Sequence, residues 1–157
     1  MEWLHWLRFS NVWQLARDGN SFDLKVELAK PRRDDFDVNQ FQYDSRDGEP
    51  KSALAAAARS GKLKCMKMLL DEKADPDIAH AHSRRFPLIE AAENGHAQCV
   101  RLLLDAGAPV DTTDLNGNSA LMLAVRNGHF TAAQSLAKRK ADQTIENYKG
   151  ETAWTLC

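Results

Sequence analysis

Ala92-Glu93-Asn94-Gly95-His96 stands between two echoes of itself, Ala58-Arg59-Ser60-Gly61-Lys62 and Val125-Arg126-Asn127-Gly128-His129. The three glycines are 34 and 33 residues apart. A fixed period in that range marks stacked supersecondary units, none of which can bury its own apolar face alone. Seven residues before each glycine stands Leu54, Leu88 or Leu121, followed at three and four residues by Ala57-Ala58, Ala91-Ala92 and Ala124-Val125. That spacing draws one apolar stripe along a short helix, and its small side chains let neighbouring helices come close. After the glycine, Met66, Leu69 and Leu70 are matched by Val100, Leu103 and Leu104, which predicts a second amphipathic helix. Thirteen residues beyond each glycine, Ala74, Ala108 and Ala141 open segments that run into turn residues such as Asp114-Leu115-Asn116-Gly117 and Asn147-Tyr148-Lys149-Gly150.

Helix, glycine turn, helix and extended turn at this period resemble the ankyrin repeat, over roughly residues 47–157. Phe86-Pro87-Leu88, then Ala91-Ala92 and Gly95-His96, with Val100, Leu103-Leu104 and Gly107-Ala108 behind them, carry the likeness best. The resemblance implies an all-α fold: an ankyrin-repeat solenoid of stacked helix-turn-helix units joined by β-hairpin-like loops. It divides one domain over 1–157 into a cap at 1–10, a degenerate first repeat with an inserted loop at 11–43, repeats at 47–80, 81–113 and 114–146, and a truncated last repeat at 147–157. One position departs from the family pattern. The histidine that usually follows the leucine, and bonds between repeats, is replaced by Ala55, Ile89, Met122 and Thr155, so these interfaces are expected to be weaker or more apolar.

Upstream the pattern fades. Leu15-Ala16-Arg17-Asp18-Gly19-Asn20 reads as a degenerate first turn, with Leu24 and Leu28 at the apolar positions of a second helix. Phe36-Asp37-Val38-Asn39 resembles the close of a unit but begins 17 residues after Gly19, which points to an exposed insertion within Pro31-Arg32-Arg33-Asp34-Asp35. Asn11 with Gln14 three residues on predicts a helix start there. Trp3, Leu4, Trp6 and Leu7 fall on one face of a short helix, read first as a cap folded onto the first repeat, and otherwise as a docking surface or an interfacial membrane helix. At the other end Thr152-Ala153-Trp154-Thr155-Leu156-Cys157 matches half a unit: either Trp154 plugs the last groove, or that flank stays partly open.

Composition and chemistry narrow the function. A net charge of −1 with 27% charged residues gives no electrostatic reason to expect nucleic acid, and no apolar run is long enough for a membrane span. Three cysteines at no metal-like spacing suggest free thiols and a cytoplasmic setting, with the nucleus left open. His96 and Cys99 are spaced to meet on a helix, but Cys65 with Lys62 takes the same places one unit earlier, which reads as a repeated packing position. Equivalent helices stack about 8–10 Å apart, too far for a Cys65–Cys99 bridge. His80 and His82 lack further metal ligands, and no phosphate loop or carboxylate pair appears, so no catalytic residue, metal or cofactor is expected.

What the resemblance implies instead is a non-enzymatic scaffold that binds a partner protein along the concave face, with no nucleic acid and no membrane. The chain itself is expected to be a monomer or weak homodimer. The outward candidates, carried over by position, are Glu49, Lys51, Arg59, His82, Ser83, Arg85, Glu93, Asn94, Leu115, Asn116, Asn118, Arg126, Asn127, Tyr148 and Lys149. Tyr148 is the best single anchor. Arg84-Arg85 near His80 and His82 adds a basic tip suited to an acidic segment, and Lys138-Arg139-Lys140 a second basic cluster. The alternative is a self-assembling or regulatory subunit that uses the incomplete C-terminal face or the Trp-rich N-terminal helix.

Overall fold

A computed structural model of the chain describes residues 3–30, 37–43, 48, 50–79 and 82–156, and their side chains apart from those of residues 3–10 and Tyr43. Each glycine echo lies in the turn of a helical hairpin. The hairpins are α3 (Ala53–Arg59) with α4 (Leu63–Asp71), α5 (Pro87–Glu93) with α6 (Ala97–Asp105), and α7 (Ala120–Arg126) with α8 (Phe130–Lys138). Before them come α1 (Trp3–Asp18), α2 (Ser21–Ala29) and an antiparallel ribbon of β1 (Phe41–Tyr43) and β2 (Pro50–Ser52). The first helices pack in a row, α1 on α3 on α5 on α7, and the second helices in another, α2 on α4 on α6 on α8. This is the solenoid expected from the period.

Two physical devices hold the rows. The first helices are short and small-sided: Ala53, Leu54 and the four alanines up to Ala58 are all buried, so α3 sits between α1 and α5 at close range. Two of them are capped by the residue before: Ser52 Oγ accepts from Ala55 N at 3.2 Å and Ser119 Oγ accepts from Met122 N at 3.3 Å, while in the final turn Thr152 Oγ1 accepts from Thr155 N at 3.4 Å. In α5 Phe86 takes the cap position without such a bond, and Pro87 starts the helix instead. At the position where the family histidine is missing, Ala55, Ile89 and Met122 are buried, and Met122 Sδ accepts from Ser119 N at 3.4 Å.

The turn glycines are required twice over. Gly61 and Gly95 have φ of +67° and +75°, and an added Cβ would lie 2.6 Å from Nδ1 of His96 and His129 respectively, each a residue of the following unit. A second left-handed position, at the end of each second helix, is filled by Lys73, Gly107 and Lys140, whose φ values are 69°, 96° and 61°. There the chain reverses as a helix-ending motif, for instance Ala74 N to Leu69 O at 2.9 Å and Ala108 N to Leu103 O at 3.0 Å.

At the N-terminus the expected boundary moves. Asn11 and Gln14 lie inside α1, which runs unbroken from Trp3 to Asp18, so the predicted helix start there is wrong. The cause is simple: nothing between Trp3 and Asp18 breaks a helix, and a capping pair by itself does not start one. Leu24 and Leu28 are buried on α2, and Gly19 has φ +81°. A residue that the pattern did not single out ties it on: Trp13 is buried and donates from Nε1 to Lys51 O at 3.1 Å. Asn39 Oδ1 accepts from Asp75 N at 2.8 Å, as Asp111 Oδ1 accepts from Asp142 N at 2.8 Å, so residues 37–39 close the first unit. The insertion proposed within 31–35, and the side chains of Trp3, Leu4, Trp6 and Leu7, lie outside the described residues.

Candidate binding face

The residue two places before each first helix and the residue in its last turn are eight apart and face each other. In the third unit Arg85 Nη1 donates to Glu93 Oε2 at 2.9 Å, and in the fourth Arg126 Nη2 donates to Asn118 Oδ1 at 2.9 Å. In the second unit this pair is Lys51 and Arg59, two cations. Their countercharge is Glu90 of the next unit, 3.3 Å from Arg59 Nη1 and 4.0 Å from Lys51 Nζ, with Arg85 Nε at 3.8 Å. Lys51 and Glu90 are both 0% exposed. Burial pushes the Glu90 carboxyl above its ordinary value, against the charges of Arg85, Lys51 and Arg59, which pull it down, while Glu93 adds a further push upward.

This network corrects three of the predicted contact residues. Lys51 is enclosed between the second and third units. Ser83 is buried and donates to Pro50 O at 3.3 Å. Asn118 is buried, donates to Asp114 Oδ2 at 2.9 Å, and accepts from Asn147 Nδ2 at 2.9 Å. All three precede a first helix, where the loop folds back onto the neighbouring loop and polar groups serve the stack. The proposed basic tip is likewise engaged: Arg85 pairs with Glu93, and Arg84, at φ +44°, reaches Thr113 Oγ1 at 3.5 Å and lies over the Phe86 ring.

Arg59, Arg85 and Glu93 are half-buried, and Glu49 lies outside the described residues. His82, Asn94, Leu115, Asn116, Arg126, Asn127, Tyr148 and Lys149 are exposed, as expected. Of these, Asn127 also braces the stack, donating to Glu93 O at 2.8 Å, while Asn94 donates to Glu90 O at 2.9 Å at the end of its own helix. Tyr148 differs: it is 80% exposed yet held in place, with its N–H donating to Asn116 O at 3.0 Å and its ring edge 3.3 Å from where a Cβ on Gly117 would be. Next to Asn116, Leu115 is 51% exposed. Two adjoining loop tips therefore present an aromatic and an aliphatic side chain on a fixed backbone. Exposed Phe130, at the start of α8, was not singled out, because in the equivalent places Leu63 and Ala97 look like ordinary packing residues.

The pair once weighed for chemistry is built into the packing. Cys99 is buried, and desolvation pushes its thiol up to about 11, the reverse of an activated nucleophile. Cys65 is also buried and raised, and both are free thiols. His96 Nε2 donates to Arg59 O at 3.0 Å, so its ring serves the repeat junction. Among the described residues no three His, Cys, Asp or Glu side chains gather as a metal site would need, and no helix is long and apolar enough to cross a membrane.

An apolar cavity of about 210 Å³ lies between α7, α8 and the final turn, lined by Leu121, Val125, Ala133, Gln134, Ala137, Gln143, Ala153 and Trp154. Trp154 edges it while 69% exposed, so it borders the groove instead of plugging it. A family model for three copies of a helical repeat, described as ankyrin repeats, matches residues 54–147, more than half of the chain. No curated protein matches the sequence.

Proposed function

The chain belongs to the ankyrin-repeat family, whose repeats are generally protein–protein interaction modules, and on that premise we propose that it is a non-enzymatic scaffold gripping a partner polypeptide. The contact surface is the row of loop tips and first-helix ends, centred on Tyr148, Leu115, Asn116 and Lys149, with Arg126 and Asn127 beside them. The observation that carries this reading is the pinned, outward Tyr148. An exposed aromatic whose backbone is already fixed loses little entropy on binding and offers large contact area, which is what interface anchors share. Buried free thiols at Cys65 and Cys99 support a reducing, cytoplasmic setting. The raised Cys99 thiol supports the absence of nucleophilic catalysis at that spot.

A photocrosslinking amino acid placed at position 148 should capture a polypeptide that the same group at Lys67, on an outer second helix, does not. Tyr148→Ala with Leu115→Ala should then lose that polypeptide in a pull-down while leaving the helical circular dichroism unchanged. Capture from position 67 alone, or a partner indifferent to the double substitution, would overturn the assignment.

A further inference from the structure

Six residues after each turn glycine, a second helix turns a side chain outward. After Gly19, Gly61 and Gly95 it is Lys25, Lys67 and Arg101, and after Gly128 it is Gln134. All four are exposed, so the position faces outward in the interior of the stack as at its ends. The helices that carry them pack in the order α2, α4, α6 and α8. Stacked helices lie about 8–10 Å apart, so three cations stand in a row across the stack, one to a hairpin. Lys67 and Arg101 border one shallow groove of about 290 Å³, which half-buried Leu63 and Leu102 also line.

None of the three cations forms an ion pair among the described residues. The carboxylates of the same helices are engaged elsewhere or stand off: Asp23 accepts from Asn20 Nδ2 at 2.6 Å, Glu27 pairs with Lys30, Asp105 pairs with Arg139, and Asp71 stays outside ion-pair range. Arg101 Nη1 donates to Ser135 Oγ at 3.2 Å, which steadies the guanidinium and leaves most of its N–H donors available. At the first cation an aromatic joins the charge. Phe22, one turn before Lys25, is 76% exposed. Its equivalents Lys64, Gln98 and Thr131 are exposed too, so the exposure belongs to the position and not to the unit.

The interval between the cations selects the shape of a ligand. Polyproline II rises about 3.1 Å per residue with three residues per turn, so every third side chain returns to one face about 9 Å further on. A β-strand returns to the same face about 7 Å on, which is too short. An α-helix reaches about 10.5 Å after seven residues, but it seats itself by a continuous apolar stripe, which exposed Gln98 and Asp105 interrupt in this groove. We propose that the outer row of second helices binds an acidic polypeptide segment in polyproline II form, with a carboxylate at every third position, one each for Lys25, Lys67 and Arg101, and a proline beside the first packed on Phe22. Ion pairs that are weak singly become selective when one chain must meet them together. The site lies apart from the Tyr148 tips, and a crosslinking group at position 67 would replace one of its cations, so the two readings fail independently.

The probe is a fluorescein-labelled peptide of three Glu-Pro-Pro triplets, titrated with the full chain by anisotropy at low salt, where exposed charges are least screened. Saturable binding is expected, at least about three-fold tighter than for a peptide of the same composition with its glutamates consecutive, which cannot meet all three cations. Lys67→Glu should weaken the triplet peptide about tenfold, through one attraction lost and one repulsion added, each of about three-fold. Gln134→Lys extends the row and should tighten a four-triplet peptide about three-fold. Both substituted positions are exposed, and circular dichroism verifies that the variants fold. Equal binding of the consecutive-glutamate peptide, indifference to either substitution, or no binding at all overturns the proposal. So does sedimentation of the chain with phosphatidylserine vesicles that Lys67→Glu abolishes while neither peptide competes, which would make a lipid surface the ligand.

Discussion

Gly61→Ala and Gly128→Ala make the same chemical change at equivalent turns, with φ of +67° and +72°, yet the structure assigns them different costs. Left-handed backbone strains an alanine by roughly 1–2 kcal/mol, and the stiffer unfolded chain returns about half of that, which leaves about 1 kcal/mol at either site. At Gly128 nothing lies within 4 Å of the new methyl, so the account ends there. At Gly61 the methyl would sit 2.6 Å from His96 Nδ1 and 2.7 Å from Cε1, so the ring must move. Moving it endangers the bond from Nε2 to Arg59 O, worth about 1 kcal/mol, and disturbs close packing by a similar amount. Gly61→Ala should therefore cost about 2–3 kcal/mol against about 1 kcal/mol for Gly128→Ala, read from urea denaturation followed by circular dichroism. A His96→Ala background tests the cause: there the cost at Gly61 should fall to the Gly128 value, a coupling of about 1–2 kcal/mol. Equal losses at both glycines, or a Gly61 cost that His96→Ala leaves untouched, would refute the reasoning.

Three further outcomes are expected. Lys73→Gly and Lys140→Gly should each stabilise the chain by about 0.5–1 kcal/mol in the same titration, because both lysines hold a left-handed backbone that glycine adopts freely; a loss at either site contradicts this. Burial raises the Glu90 carboxyl above 4.5, so the folded chain holds that proton more tightly than the unfolded one, and its stability contribution grows as pH falls through the folded value toward the unfolded one. Relative to Glu90→Gln, the native chain should thus gain stability as pH falls from neutral toward the ordinary carboxylate range, and a flat or opposite trend rejects the shift. Cys99, with its thiol near 11, should resist iodoacetamide in the native chain and react once denaturant opens it; fast native labelling on peptide mapping would contradict its burial.

The fold was legible because its signal is periodic: small residues before Gly61, Gly95 and Gly128 recur in register, as do the paired leucines after the first two and Leu136 after the third, and the helices lie where those letters repeat. The face was legible only in part. Position within a repeat identifies which residues stand on a loop tip, so Tyr148, Leu115 and Asn116 were found. It does not identify which polar residues turn back into the stack, since Lys51 and Asn118 are buried by partners one unit away, Glu90 and Asn147, that no single repeat displays. Helix α1 was misjudged for the opposite reason: Asn11 and Gln14 form a plausible local start, and only the continuation of helix on both sides reveals that none occurs there.

The charges at these junctions also decide which units can be neighbours. Arg85 and Glu93 neutralise each other within the third unit, and in the fourth Arg126 donates to the neutral Asn118 and has its countercharge in Glu151. Lys51 and Arg59 carry like charge, and Glu90 of the next unit stands within ion-pair range of both; the equivalent residues elsewhere are Ala56 and Leu123. Exchanging the third unit for a copy of the fourth would set Leu123's counterpart where Glu90 stands, and should destabilise the chain in urea denaturation relative to the native order; equal stability would refute this. The loop tips of the fourth and last units lie outside that constraint: Arg126 reaches Glu151 at 3.3 Å in a half-exposed pair, so Tyr148 and Leu115 can serve recognition without loosening the order of the repeats.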